Sequence, residues 1–230
     1  MLRFCFLLFV FVGQLHVAYS QSMLADSIRK SLISKMPGRS YVESVLLLSE
    51  QSMNPDTLLP FIQQAESMAA KSGDPELVRF TESARVNYYV RKSNHDSALF
   101  FLDPLLKYYA KDKSGQSVYL SLLFLKSKVY DRAAEFTQAL AIMIEVIGLA
   151  EDLKDTVTMI QARTGIGWVQ MEMGQFQESL QWLYKAKATS GNQRFYRNYG
   201  ALYSNLAMVH SKLGHVDSAL YYIEVAIKDA

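Results

Sequence analysis

Five small or apolar residues, each followed by leucine, recur at near-constant spacing. They are Leu58-Leu59, Ala98-Leu99, Ala139-Leu140, Ser179-Leu180 and Ala219-Leu220, with gaps of 40, 41, 40 and 40 residues. A chain that repeats at such an interval is built from one local unit used several times, each unit burying its apolar side against a neighbour. The unit is clearest at its last occurrence. Tyr203, Leu206, Ala207, Val209 and Leu213 recur at helical spacing. Gly214 follows, where a helix end takes a residue free to adopt positive φ. Val216, Ala219, Leu220, Ile223, Ala226 and Ile227 then form a second helical stripe, and its small alanines let the paired helix approach closely. The same pattern stands one period upstream. Gly165-Ile166-Gly167 replaces Asn205-Leu206-Ala207, Gly174 replaces Gly214, Ser179-Leu180 replaces Ala219-Leu220 and Ala186 replaces Ala226.

These residues resemble the tetratricopeptide repeat (TPR), with its small pair in the first helix, turn glycine and two alanines in the second helix. The period is longer than the about 34 residues of the shortest form and is similar to that of long-period repeats in exported bacterial proteins. The resemblance implies an all-α, helix-turn-helix repeat solenoid, a TPR-like right-handed superhelix. First helices would line a concave groove and second helices the convex back. Residues 21–38 are expected to form an N-terminal capping helix, centred on Ser22 to Met36 and ended by Pro37-Gly38. Five TPR-like repeats follow at 39–73, 74–113, 114–153, 154–193 and 194–230. Towards the N-terminus the family pattern departs from glycine at the turn, with Ala134, Ser93 and Met53 in its place. Asp74, Asp56 and Asp96 read as helix N-caps, and Pro60 lies early enough in its helix to be tolerated. Pro104 is expected to kink its helix or to restart it with Asp103 as a new cap.

Residues 1–20 read as a signal peptide. Arg3 precedes the apolar run Phe4 to Val12, and Ala18-Tyr19-Ser20 offers small residues at the positions a signal peptidase reads, so cleavage is expected before Gln21. The chain is then expected to be secreted across an inner membrane and to work in the periplasm or outside the cell, the alternative being a segment retained as a membrane anchor. Cys5, the only cysteine, leaves with the signal. The mature chain therefore has neither a disulfide nor a thiol nucleophile, and no membrane span remains. A net charge of +2 gives no footprint for nucleic acid.

No catalytic signature is present: no G-x-S-x-G, H-E-x-x-H, phosphate loop or dinucleotide fingerprint. Beyond the signal the histidines are His95, His210 and His215. The last two are five apart across a turn, which is not the spacing of a helical zinc pair, so neither metal nor cofactor is expected. Binding of a protein or peptide is the expected function. Carried over by register, the groove residues are Gln161, Thr164, Trp168 and Met171 in the fourth repeat and Ser204, Asn205, Met208 and Ser211 in the fifth. Lys128 and Asn87 stand at the corresponding places in the third and second. Trp168 is the principal contact by its size, although the same spacing also fits inter-repeat core. The dense stretch "LFFLDPLLKYY" reads as core. The sequence stops inside a good repeat, leaving Leu206, Val209 and Ile223 with nothing after them to cover them. That open end is expected to meet a partner or a second copy. The alternative reading is the extracytoplasmic sensory domain of a membrane-bound transcriptional regulator or sensor kinase, cut at Ala230.

Overall fold

The computed structural model describes residues 27–28, 30, 38–51, 54–191 and 199–228. The signal segment, its cleavage point, Met53 and most of the expected capping helix lie outside the described residues. Ser27, Ile28 and Lys30 are helical, and Ile28 packs on the first core. Among the described residues ten α-helices follow: α1 (Gly38–Gln51), α2 (Leu59–Ser72), α3 (Pro75–Arg91), α4 (His95–Tyr109), α5 (Gln116–Arg132), α6 (Phe136–Asp152), α7 (Thr156–Glu172), α8 (Phe176–Ser190), α9 (Tyr199–Lys212) and α10 (Val216–Lys228). Consecutive helices pair: α1 with α2, α3 with α4, α7 with α8 and α9 with α10. The chain divides into two compact units, the first ending at Leu122 and the second beginning at Leu123.

In the first unit α1 lies against both α2 and α3. Tyr41, Val42, Val45 and Leu48 of α1 meet Leu58, Ile62, Ala65 and Ala69 along α2, with Leu77 and Ala84 of α3 closing the cluster. In the second unit α9 packs on α8 and also on α7, the preceding first helix. Its core joins Ile160 and Met171 of α7, Leu183 and Ala186 of α8, Leu202, Leu206 and Val209 of α9 and Tyr222 of α10. The repeated position that sets the register is buried throughout, at Leu58, Ala98, Ala139, Ser179 and Ala219.

The turns inside the pairs share one geometry although their residues differ. Ser93, Ala134, Gly174 and Gly214 all take positive φ, at 54°, 58°, 76° and 78°. Each donates its N–H to the carbonyl three residues back, and the next residue donates to the carbonyl five back: Glu135 to Tyr130 at 2.9 Å, Gln175 to Gln170 at 2.8 Å, His215 to His210 at 2.9 Å. This closes the helix end in the Schellman manner and satisfies its last carbonyls. Loss of the turn glycine in the earlier repeats has therefore not changed the backbone. It has placed a Cβ in the left-handed region, which costs about 1–2 kcal/mol. Ala134→Gly is expected to raise stability by about 0.5–1 kcal/mol, because relief of that strain exceeds the extra chain entropy glycine loses on folding. A higher urea midpoint at unchanged slope is the expected result.

Two expectations for helix ends are corrected. Asp74 does cap α3, accepting from the Glu76 N–H at 2.9 Å. The caps before Asp56 and Asp96, however, are Asn54 and Asn94, which accept from the N–H groups of Asp56 and Ser97 at 3.0 and 3.1 Å. In each case the asparagine two residues earlier sits at the last non-helical position, where its side chain reaches the free N–H groups. Pro104 lies inside a continuous α4, with no restart at Asp103. The proline removes the bond to the Phe100 carbonyl, and both residues are on the exposed side of α4, where water can take that carbonyl. The stretch around it is amphipathic rather than all core: Leu102, Leu105, Leu106 and Tyr109 are buried, while Phe100 is 74% exposed.

The open end also differs from expectation. Leu206 and Val209 are fully buried in the second core, and Ile223 is partly buried against it. Their faces are taken by α7, α8 and α10. The apolar side chains left in solvent are instead Val216, Leu220, Tyr221 and Ile227 of α10.

Candidate peptide-binding surface

The surface formed by the first helices α7 and α9 depends on how closely α7 is held by its neighbours. A Cβ built on Gly167 would stand 2.6 Å from Leu183 Cγ and Cδ2 and 3.3 Å from the Ser179 carbonyl oxygen. The Ser179 hydroxyl uses this approach, donating at 2.6 Å to the Gly167 carbonyl in a buried bond. Gly165 faces the Met143 thioether on the other side. The α7 helix is thus held closely by its neighbours, while Gln161, Gly165 and Trp168 along it stay partly exposed.

Of the residues expected to line a groove, Gln161 and Trp168 on α7 and Ser204, Asn205 and Met208 on α9 are half-buried. Trp168 and Met208 both pack against the second core. Each therefore has one side fixed by the protein and another accessible. Thr164 and Met171 do not belong with them. Thr164 is buried and its hydroxyl donates to the Ile160 carbonyl at 2.8 Å. Met171 is buried in the second core. With helix neighbours on both sides, the 3.6-residue spacing that selects an outward stripe selects these inward positions as well. Asn87, in the first unit, braces α3 against α1 by donating to the Ser49 hydroxyl at 3.0 Å. Lys128 on α5 is exposed, its ammonium 4.3 Å from the centre of the Phe124 ring. Ser211 is exposed near the end of α9.

Charged side chains tie the helices together in both units. Arg163 of α7 donates to Glu151 at 3.0 Å and to the Thr189 hydroxyl, so it ties α6, α7 and α8 together. In the first unit the Arg85 guanidinium grips Glu66 with two bonds, at 2.6 and 2.8 Å. That pair joins α2 to α3 in the two-pronged geometry that makes arginine–carboxylate contacts strong.

Two features escaped the sequence reading. A groove of about 440 Å³ lies between α2, α3 and α4, with Val78, Arg79, Glu82, Pro104 and Tyr108 among its walls. Arg79 lies 4.1 Å from the centre of the Tyr108 ring. The second feature is a polar chain on α8, α9 and α10. The Tyr184 hydroxyl and His210 Nε2 are 2.8 Å apart, and His210 Nδ1 is 3.2 Å from His215 Nδ1. Burial first, then a hydrogen bond with Tyr222, pushes the Tyr184 hydroxyl up to about 12. Lys187 donates to the Tyr222 hydroxyl at 3.2 Å, and the His210 ring stacks on that of Tyr222. Among the described residues, no group of three or more His, Cys, Asp or Glu side chains could hold a metal ion.

This arrangement of paired helices matches solved repeat structures. A Rap protein complexed with Competence and Sporulation Factor superposes with a TM-score of 0.74 at 16% identity, over 89% of this chain and 58% of that one. The TPR-like repeats of a kinesin light chain from Podosopora anserina give 0.61 at 15%, over 85% of this chain and 97% of that one. The fold is TPR-like. Aspartyl phosphate phosphatase F from Bacillus subtilis is similar too, with a TM-score of 0.72 at 14% identity over 84% of this chain. The chain spans about half the length of that phosphatase, and 58% of the Rap chain. No protein-family model matches the sequence, and no curated protein does. Within the TPR-like fold, α7 and α9 are successive first helices, in direct contact.

Proposed function

We propose that this protein is an exported scaffold that binds a protein or peptide on the first-helix surface of α7 and α9. The observation that carries the reading is the half-burial of Trp168 and Met208 against one core, on the same two helices as the half-buried amides Gln161 and Asn205. Apolar contacts held rigidly from below lose little freedom on binding, and the amides can meet the backbone of an extended ligand. The Rap structure, held in a complex with Competence and Sporulation Factor, is a precedent for ligand binding on this fold. Export rests on Arg3, the Phe4–Val12 run and the Ala18-Tyr19-Ser20 site. Binding rather than turnover is its task, as the missing catalytic motifs suggest. The exposed Val216, Leu220, Tyr221 and Ile227 support self-association as a further property.

The test starts from a random peptide library screened against the chain beginning at Gln21. Enriched peptides are expected, and on adding one, amide hydrogen exchange should slow in residues 156–172 and 199–212. Protection confined to the second helices, 176–190 and 216–228, would place the ligand elsewhere.

A further inference from the structure

We infer that His210 and His215 form a chelating site for a divalent late transition metal ion, Cu²⁺ or Zn²⁺. The turn at Gly214 brings the two rings together although they are five residues apart. Their Nδ1 atoms lie 3.2 Å from each other. An ion held at about 2.0–2.1 Å by two imidazole nitrogens at a tetrahedral angle sets those nitrogens about 3.3 Å apart. The separation of the pair already matches one ion, and the rings need only turn so that both lone pairs point to it.

The groups behind His210 fit this role. A ligating histidine is oriented by the hydrogen bond its other nitrogen makes. Here that partner is the Tyr184 hydroxyl at 2.8 Å from Nε2. Without metal, Tyr184 donates to Nε2, and Nδ1–H of His210 donates to Nδ1 of His215. With metal, both Nδ1 lone pairs face the ion, so His210 carries its proton on Nε2 and donates to the Tyr184 oxygen. Tyr184 is 41% exposed, so its proton then turns to water. The Tyr222 oxygen accepts from Lys187 in both arrangements. The Tyr184–His210 bond can reverse direction, so both ring nitrogens of the buried His210 keep a partner in either state.

Two imidazoles supply half of a tetrahedral shell, and water completes it on the exposed His215 side. Such a site is exchangeable, in contrast to the closed four-ligand sites that hold a fold together. Imidazole ligands suit copper and zinc, and the order of divalent affinities places Cu²⁺ above Zn²⁺. Bound there, the ion would fasten the α9–α10 turn to α8 through Tyr184.

The experiment is isothermal titration of the full chain, made without a histidine tag, with Cu²⁺ and separately with Zn²⁺. One ion per chain is expected, Cu²⁺ the tighter, with an electron paramagnetic resonance signal of Cu²⁺ showing two imidazole nitrogens. His215→Ala, at an exposed turn, is expected to weaken both ions at least tenfold without loss of helicity. Tyr184→Phe removes only the orienting oxygen and is expected to weaken them by about tenfold. Absence of binding in the unaltered chain, or affinity within twofold in His215→Ala, would overturn the site and leave the pair as a hydrogen bond.

Discussion

Gly167→Val is expected to cost about 3 kcal/mol of stability, the largest effect of any single change considered for this chain. The helix pair α7–α8 closes to a distance at which a Cβ at position 167 meets Leu183 Cγ and Cδ2 at 2.6 Å. Leu183 is fully buried and cannot swing out, and Ser179 holds the Gly167 carbonyl from the same side. Even Gly167→Ala should lose about 1 kcal/mol, because a clash of about 2 kcal/mol outweighs the gain of about 1 kcal/mol in helix propensity. Gly165 is the built-in comparison. Its added Cβ would meet only the Met143 thioether and methyl, at 3.1 and 3.0 Å. Methionine adapts its shape readily, so Gly165→Ala is expected to be neutral or slightly stabilising. Urea unfolding of the three variants separates the two glycines. Equal losses at 165 and 167 would mean that the close approach is not where the structure puts it.

The two glycines also show where the sequence was legible and where it was not. Small residues at 165 and 167 marked a close helix contact, but spacing alone could not tell which one touches a rigid neighbour. Helix pairs were readable because apolar residues, turn residues and the forty-residue register agree. The left-handed turns at Ser93 and Ala134 were hidden, since neither residue favours that conformation and only the tertiary fold imposes it. Asn54 and Asn94 were passed over for the aspartates two residues on, because a polar cluster offers several plausible caps and only backbone geometry selects one. Thr164 and Met171 looked like groove residues because α7 has packed neighbours on several sides, which blurs the one-faced pattern of an outer helix. The closeness of His210 and His215 was not legible because the usual ligand spacings apply to one helix face, whereas these two rings meet around a turn.

Trp168→Ala carries the largest expected effect on function. A half-buried tryptophan whose back is fixed by the second core can give a ligand a wide apolar contact at little cost in freedom. Loss of such a contact is worth about 2 kcal/mol, or about thirtyfold in affinity. The chain offers its own control in Trp182, its other tryptophan. Trp182 is also half-buried but sits on the second helix α8, its ring 4.4 Å from the Lys185 ammonium. Both substitutions trim a partly buried aromatic, so both should lower stability to a similar modest extent while far-UV circular dichroism stays helical. The decisive measurement is the affinity of one library-selected peptide for the unaltered chain, Trp168→Ala and Trp182→Ala, read by fluorescence anisotropy of the labelled peptide. A loss of about thirtyfold in Trp168→Ala, with Trp182→Ala within twofold of the unaltered chain, is the expected result. Equal affinity in all three, or a loss only in Trp182→Ala, would contradict binding on the first-helix surface.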